Sequence, residues 1–213
     1  MRTRERLLDA AERLWAERGV EAVSLREIRL AAGQRNNSAL QFHFGDRNGL
    51  LLALTQRHLP RVDALREQLY ARLVAEGRQT DVAALVEVMV RPGAEYMRQG
   101  PSERAWTKII AELGSRPGVS LHDVLEHVPA TALHVGVSLH DQLAVRLGSE
   151  LAVERLMSVL SACGYLCADR ARVEDAPQVA GRPLARPVVP FDTWLANLLD
   201  MAVGALLAPA RRP

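Results

Sequence analysis

The sequence predicts an all-α chain of about nine helices, a small three-helix headpiece followed by a larger helical bundle. Two observations carry this. Apolar residues recur at helical spacing in segment after segment of the 213 residues, with Gly, Pro or a capping side chain at the ends. Aromatics make up only 4% of a chain that is 48% hydrophobic, so aliphatic side chains and Ala carry the core, a bias that suits helices better than strands.

Residues 4–18 read as the first helix: Leu7, Leu8, Ala11, Leu14 and Trp15 share one face, and Gly19 stops it. Ser24-Leu25-Arg26-Glu27 spells a capping box, in which the Ser hydroxyl takes an amide of the first turn and the Glu carboxylate reaches back. It opens a short helix to Ala32, with Leu25, Ile28 and Ala32 inward and Gly33 as its end. Residues 34–36 are polar turn material, and Asn36 is placed to cap a third helix over 37–44, anchored by Leu40 and Phe44. Gly45-Asp46 breaks it; Asp46 caps a helix that reaches Leu59, and Pro60 ends that one.

Beyond Pro60, Val62, Leu65, Leu69 and Leu73 mark a separate helix. Val82, Leu85, Val86 and Met89 mark the next, kinked or split at Pro92 before Tyr96. Pro101-Ser102 starts a helix carrying Trp106, Ile109, Ile110 and Leu113, and Pro117-Gly118 breaks the chain after it. Apolar positions from Leu121 to Leu143 trace a long helix bent at Pro129. Gly148-Ser149 separates this from a helix over 150–170. Residues 173–190 hold Pro177, Pro183, Pro187 and Pro190 without periodicity and read as a long surface loop. Asp192 then caps the last helix, 193–207.

Bulk charge says little. The net is +2, and residues 1–49 hold nine Arg against seven acidic residues, so any nucleic-acid argument must rest on placement. The two cysteines, Cys163 and Cys167, read as small buried apolar residues in a reducing compartment. Charges interrupt residues 1–18 throughout, so no secretory signal is expected there, and no long uncharged apolar run predicts a membrane span. A cytoplasmic protein is expected. No nucleophile, carboxylate pair or phosphate loop stands out, so neither an enzyme nor a cofactor is expected. His122, His127, His134 and His140 cluster in one region, but acidic or Cys co-ligands at helical spacing do not accompany them, so no metal site is expected.

The informative segment is 24–51. Two short helices, joined by a tight turn, have just enough apolar anchors to dock on the first helix, since neither is stable alone. That leaves a polar face on the third helix: Asn37, Ser38 and Gln41. Asn and Gln amides can each bond an adenine edge through two hydrogen bonds in the major groove. This segment, SLREIRLAAGQRNNSALQFHFGDRNGLL, resembles the helix-turn-helix signature of the tetracycline-repressor (TetR) family through Ser24–Ile28, Ala31-Ala32-Gly33, Leu40, Phe42–Arg47 and Gly49-Leu50-Leu51. The likeness spans roughly the first 55 residues. Two departures stand out. Six residues, Gln34 to Ala39, separate the turn Gly from Leu40 where the family has five, and Gln41 stands where the family often has Tyr.

The resemblance implies that Ser24, His43 and Arg47 bond phosphates. It directs Arg26 toward the groove and Asn37, Ser38 and Gln41 to base edges. It further implies a headpiece over 1–48 and an effector-binding, dimerising domain over 49–213. The last two helices would form a four-helix interface with a second copy, using Leu156, Val159, Leu160, Cys163, Trp194, Leu198, Ala202 and Ala205. Met89, Tyr96, Trp106 and Ile110 would line an apolar cavity for a small-molecule effector, with His134 as a polar contact. The expected partners are double-stranded operator DNA of inverted-repeat form, a second copy of the chain and the effector, and no membrane. Two rival readings stay open on the residues alone. One is a helical small-molecule-binding protein or enzyme with a fortuitous headpiece; the other is an architectural DNA-binding protein without an effector.

Overall fold

The computed structural model describes residues 3–36, 38–113, 128–176 and 188–210. Every regular element among these described residues is an α-helix: α1 (Thr3–Arg18), α2 (Leu25–Ala31), α3 (Ala39–Phe44), α4 (Arg47–Ala75), α5 (Val82–Met97), α6 (Pro101–Leu113), α7 (Ala130–Leu147), α8 (Ser149–Asp175) and α9 (Phe191–Leu207).

The first three helices form where the sequence signals place them. On α1, Leu7, Leu8, Ala11 and Trp15 are buried, as their shared face requires. The capping box closes in both directions: Glu27 N–H donates to Ser24 Oγ at 3.2 Å, and Ser24 N–H donates to the Glu27 carboxylate at 2.8 Å. α2 ends in a left-handed turn at Gly33 (φ +68°), with Gln34 N–H bonded to Arg29 O and Gly33 N–H to Leu30 O. α3 starts at Ala39, later than the spacing suggests, because Asn36 spends its side chain on the turn: its Oδ1 accepts from Ser38 N–H at 2.9 Å.

Proline is where local rules fail. α4 runs unbroken through Pro60, and α5 through Pro92, where breaks or kinks were expected. Proline in a helix interior costs about 3 kcal/mol. Around Pro60, however, α4 buries Leu54, His58, Val62 and Arg66 at a spacing of four, while Pro60 itself is exposed. Each large apolar anchor contributes roughly 1.5–3 kcal/mol, so the packed stripe outweighs the missing hydrogen bond. Around Pro92 the same balance holds, with Val88, Val90, Tyr96 and Met97 buried. Pro129 does not bend a helix; it sits at the N-cap of α7, and residues 114–127, which hold His122 and His127, lie outside the described residues. α8 extends to Asp175, so the expected loop begins later, and residues 177–187 lie outside the described residues. α9 begins at Phe191 behind Pro190, which puts Asp192 in the first turn rather than at the cap.

Two apolar cores result. The first joins α1, α2, α3 and the start of α4 to Tyr96 of α5 and to Trp106 and Ile109 of α6. The second is built from α5, α7, α8 and α9, with Leu73 from the far end of α4. α4 is thus a rod shared by both. The stripe of α8 and α9 expected to meet a second copy faces this second core instead: Leu156, Cys163, Leu198 and Ala202 are buried in it, with Val159, Leu160 and Trp194 packed against it. Of the expected interface set, Ala205 is exposed. Helical period shows that these residues share a stripe, not what covers the stripe. Among the described residues α8 is the one helix long and apolar enough to cross a membrane. It carries Glu154 and Arg155 within it and buries Ala152, Leu156, Cys163, Cys167, Ala168 and Ala171 against its own chain.

Candidate nucleic-acid interface

α3 is held from one side only. Ala39 and Leu40 are buried, whereas Ser38 and Gln41 are exposed and Phe42 is 84% exposed. Arg26, exposed on α2, lines one surface cleft with Gln41, Leu40 and Arg29. The structure therefore brings Arg26 and Gln41 together on an open polar surface, with Ser38 at the start of the same short helix. Asn37 lies outside the described residues. His43 is half-buried, its ring 5.1 Å from that of Phe42 in an edge-on pair.

Ser24 and Arg47 are engaged within the headpiece. Ser24 Oγ donates to the Glu27 carboxylate at 2.8 Å. The Ser24 bonds and the Arg18 guanidinium together hold the Glu27 carboxyl far below its ordinary value, at about 2. Arg47 Nη1 donates to the Val20 carbonyl, and its guanidinium lies 3.7 Å from the Glu21 carboxylate, tying the start of α4 to the α1–α2 connection.

Three residues that position this surface escaped the sequence reading. Arg29 Nη1 donates to the carbonyls of Gln34 (2.6 Å) and Arg35 (3.2 Å), which pins the long turn between α2 and α3. Gly49 allows α4 to start against α3, since a Cβ there would lie 1.8 Å from the Phe44 carbonyl oxygen. Glu112 of α6 accepts from Val20 N–H at 3.0 Å and so anchors the headpiece to the bundle. Only the six-residue turn hinted at any of these.

Behind the headpiece, a cavity of about 280 Å3 lies between α4, α5, α6 and α8. Met89, Tyr96, Trp106 and Ile110 all line it. His134 does not; it is exposed on α7, edge-on to Tyr70 with the rings 5.4 Å apart. Among the described residues no three His, Cys, Asp or Glu side chains cluster as metal ligands would.

The cavity wall connects to α1 through a buried polar chain that periodicity could not reveal. His58, fully buried, stacks on Trp106 and bonds the Tyr96 hydroxyl through Nδ1 at 2.8 Å. Its Nε2 lies 3.3 Å from Glu12 Oε1. Glu12, 4% exposed, also accepts from Ser102 Oγ at 2.5 Å and from Arg57 at 3.0 Å. Burial pushes the Glu12 carboxyl up, but the hydrogen bonds from His58 and Ser102 and the nearby charges outweigh it and hold it below its ordinary value. An ionised Glu12 takes the proton of His58 Nε2, which leaves Nδ1 to accept from the Tyr96 hydroxyl. Thus α1, α4, α5 and α6 meet at one buried hydrogen-bonded cluster.

Comparison with known proteins places this arrangement. Residues 7–54 match the family model described as bacterial regulatory proteins, tetR family. The HTH-type transcriptional repressor Rv1474c of Mycobacterium tuberculosis is 30% identical over 171 residues, which cover 74% of this chain and 88% of that protein. The HTH-type transcriptional repressor AcnR of Corynebacterium glutamicum is 32% identical over 114 residues, 54% of this chain; the chain spans half the length of that relative. The solved structure of Salmonella enterica GusR aligns over 97% of this chain and 96% of its own, at 22% identity and a TM-score of 0.40. With an outward recognition helix on the page and a repressor matched along most of its length, the chain belongs to the TetR family of DNA-binding transcriptional regulators.

Proposed function

We propose that the protein is a homodimeric, ligand-responsive repressor acting in the cytoplasm on an inverted-repeat operator. Residues 1–48 engage DNA; residues 49–213 dimerise and sense a small effector. The observation that carries the reading is α3 itself: a short helix buried through Ala39 and Leu40 that leaves Ser38 and Gln41 open to a groove. Two-fold symmetry sets the recognition helices about 34–36 Å apart on bound DNA. Gln41 and Arg26 read base edges, while Ser24, His43 and Arg47 meet phosphates. The half-buried Arg47 does so while one nitrogen stays on Val20.

The effector acts by population shift. α4 lines the cavity through Leu59, Val62 and Arg66 and carries His58 into the Glu12 cluster. An effector that fits better when α4 is displaced changes the distance between the two recognition helices and releases DNA.

Selection of bound sequences from random duplex DNA tests the reading, with molecular mass measured in parallel. The expected result is an inverted repeat bound by a dimer, with affinity falling steeply as salt rises. Gln41→Ala is then expected to change the preferred base at one position in each half-site, at a cost of about 1–3 kcal/mol on the cognate sequence. An equal loss on every sequence removes Gln41 from base readout, and binding that ignores salt defeats the whole proposal.

A further inference from the structure

We infer that the effector is a neutral, largely apolar molecule carrying one hydrogen-bond acceptor, a ketone, ester or amide carbonyl, which Arg66 receives. This rests on the effector-responsive reading above. The cavity, about 280 Å3, lies at the small end of ligand sites, roughly 300–1,000 Å3. Leu59, Val62, Met89, Trp106, Ile110 and Leu160 give it an apolar wall.

The polar groups in that wall are nearly all occupied. The Tyr96 hydroxyl is bonded to His58 at 2.8 Å. The Thr107 hydroxyl donates to the Glu103 carbonyl at 2.9 Å. Burial pushes the Cys163 thiol up to about 11 and, with help from Cys163, the Cys167 thiol up to about 12, so both are uncharged at neutral pH. Arg66 is the exception. Its side chain is 9% exposed and lines the cavity. Nη1 donates to Asp63 at 2.8 Å, but Nε is sealed from solvent without a hydrogen-bond partner. A guanidinium has five donors and no acceptor, and a buried donor left unpaired is costly. The site therefore lacks an acceptor.

Charge decides which acceptor. Asp63 already balances Arg66. A buried anion would leave the cluster with a net negative charge in an apolar wall, and a cation would face the guanidinium; burying either uncompensated charge is expensive. A carbonyl oxygen supplies lone pairs without adding charge. Because Arg66 stands on α4, two turns beyond His58, an acceptor held there acts on the helix that reaches the headpiece.

The test uses the full chain without DNA and four probes of similar size: acetophenone, ethylbenzene, benzoate and benzylammonium, titrated by calorimetry. Acetophenone is expected to bind tightest, about tenfold or more above ethylbenzene, since a hydrogen bond from a charged donor separates them. Benzoate and benzylammonium are expected to fall below ethylbenzene. Arg66→Met is expected to bring acetophenone down to the ethylbenzene level; if that variant does not fold, the ranking on the unaltered protein still decides. Equal affinity for acetophenone and ethylbenzene, a preference for benzoate, or no saturable binding of any probe in the millimolar range overturns the inference. Salt-dependent operator binding, measured separately without probes, shows whether the regulator reading itself stands.

Discussion

Single side chains in this molecule act chiefly by fixing distances between elements. Gly49 is the sharpest case: an added methyl would have to occupy the Phe44 carbonyl oxygen, 1.8 Å away, and backbone cannot swing aside as a flexible side chain can. Gly49→Ala is expected to destabilise the fold by about 1–3 kcal/mol and to weaken operator binding. Gly136→Ala on α7 meets only Met89 Cε at 3.7 Å and is expected to stabilise by about 0.5–1 kcal/mol. Urea melts of the pair check both signs. Glu12 fixes a distance too, through charge. Its carboxyl sits below the ordinary 4.5 in the folded state, so the ionised form favours folding. That contribution is fully present above the unfolded value and is lost as pH falls through the lowered folded value. Glu12→Gln is expected to cost about 1–3 kcal/mol at neutral pH. It is also expected to flatten part of the decline in melting temperature below pH 4.5. An acid limb identical to the unaltered protein's would mean that Glu12 is not ionised in the fold. Neither residue was legible in advance. Glu12 sits among apolar α1 positions with the look of a surface residue, and the need for Gly49 arises from a neighbouring helix.

Elements were legible where the chain announces itself locally. The Ser24–Glu27 box, the Gly33 turn and the Asp46 cap all carry their own chemistry within a few residues, and α2, α3 and the start of α4 follow them closely. Pro60 and Pro92 carry local chemistry as well, yet tertiary burial overrides it. Their rings forbid one hydrogen bond each, and the stripes on both sides repay that loss. This makes α4 a long helix with one missing bond beside the cavity, since Leu59 and Pro60 adjoin the lining residues Val62 and Arg66. Pro60→Ala restores an N–H to meet the Gln56 carbonyl. The expected outcome is a gain of up to about 3 kcal/mol in stability, read as a higher melting temperature, together with a weaker response of DNA binding to effector because the rod is stiffer. A lower melting temperature would show that the ring itself makes a packing contribution at this exposed position.

At the scale of the whole molecule, the question is which surface a second copy covers. The inward stripe of α8 and α9 is committed to the chain's own core. What remains outward is apolar too: Val153 and Met157 on α8 are each 41% exposed, and Met201 on α9 is 53% exposed, beside exposed Gly204 and Ala205. Val153 and Met157 stand one turn apart, as do Met201 and Ala205, so each helix presents a narrow ridge with small residues that permit close approach. An isologous contact of these ridges would bury four helices around a two-fold axis and leave both α3 helices free. Met157→Glu combined with Met201→Glu places like charges across such an axis and is expected to give a folded monomer by light scattering. With one headpiece per molecule, binding to the full operator should fall by about 10²–10⁴-fold, the gain that linkage of two sites provides, while binding to a single half-site stays unchanged. A double variant that remains dimeric would move the interface off this face. An unaltered protein that is monomeric at working concentration would remove the symmetry from which an inverted-repeat operator follows.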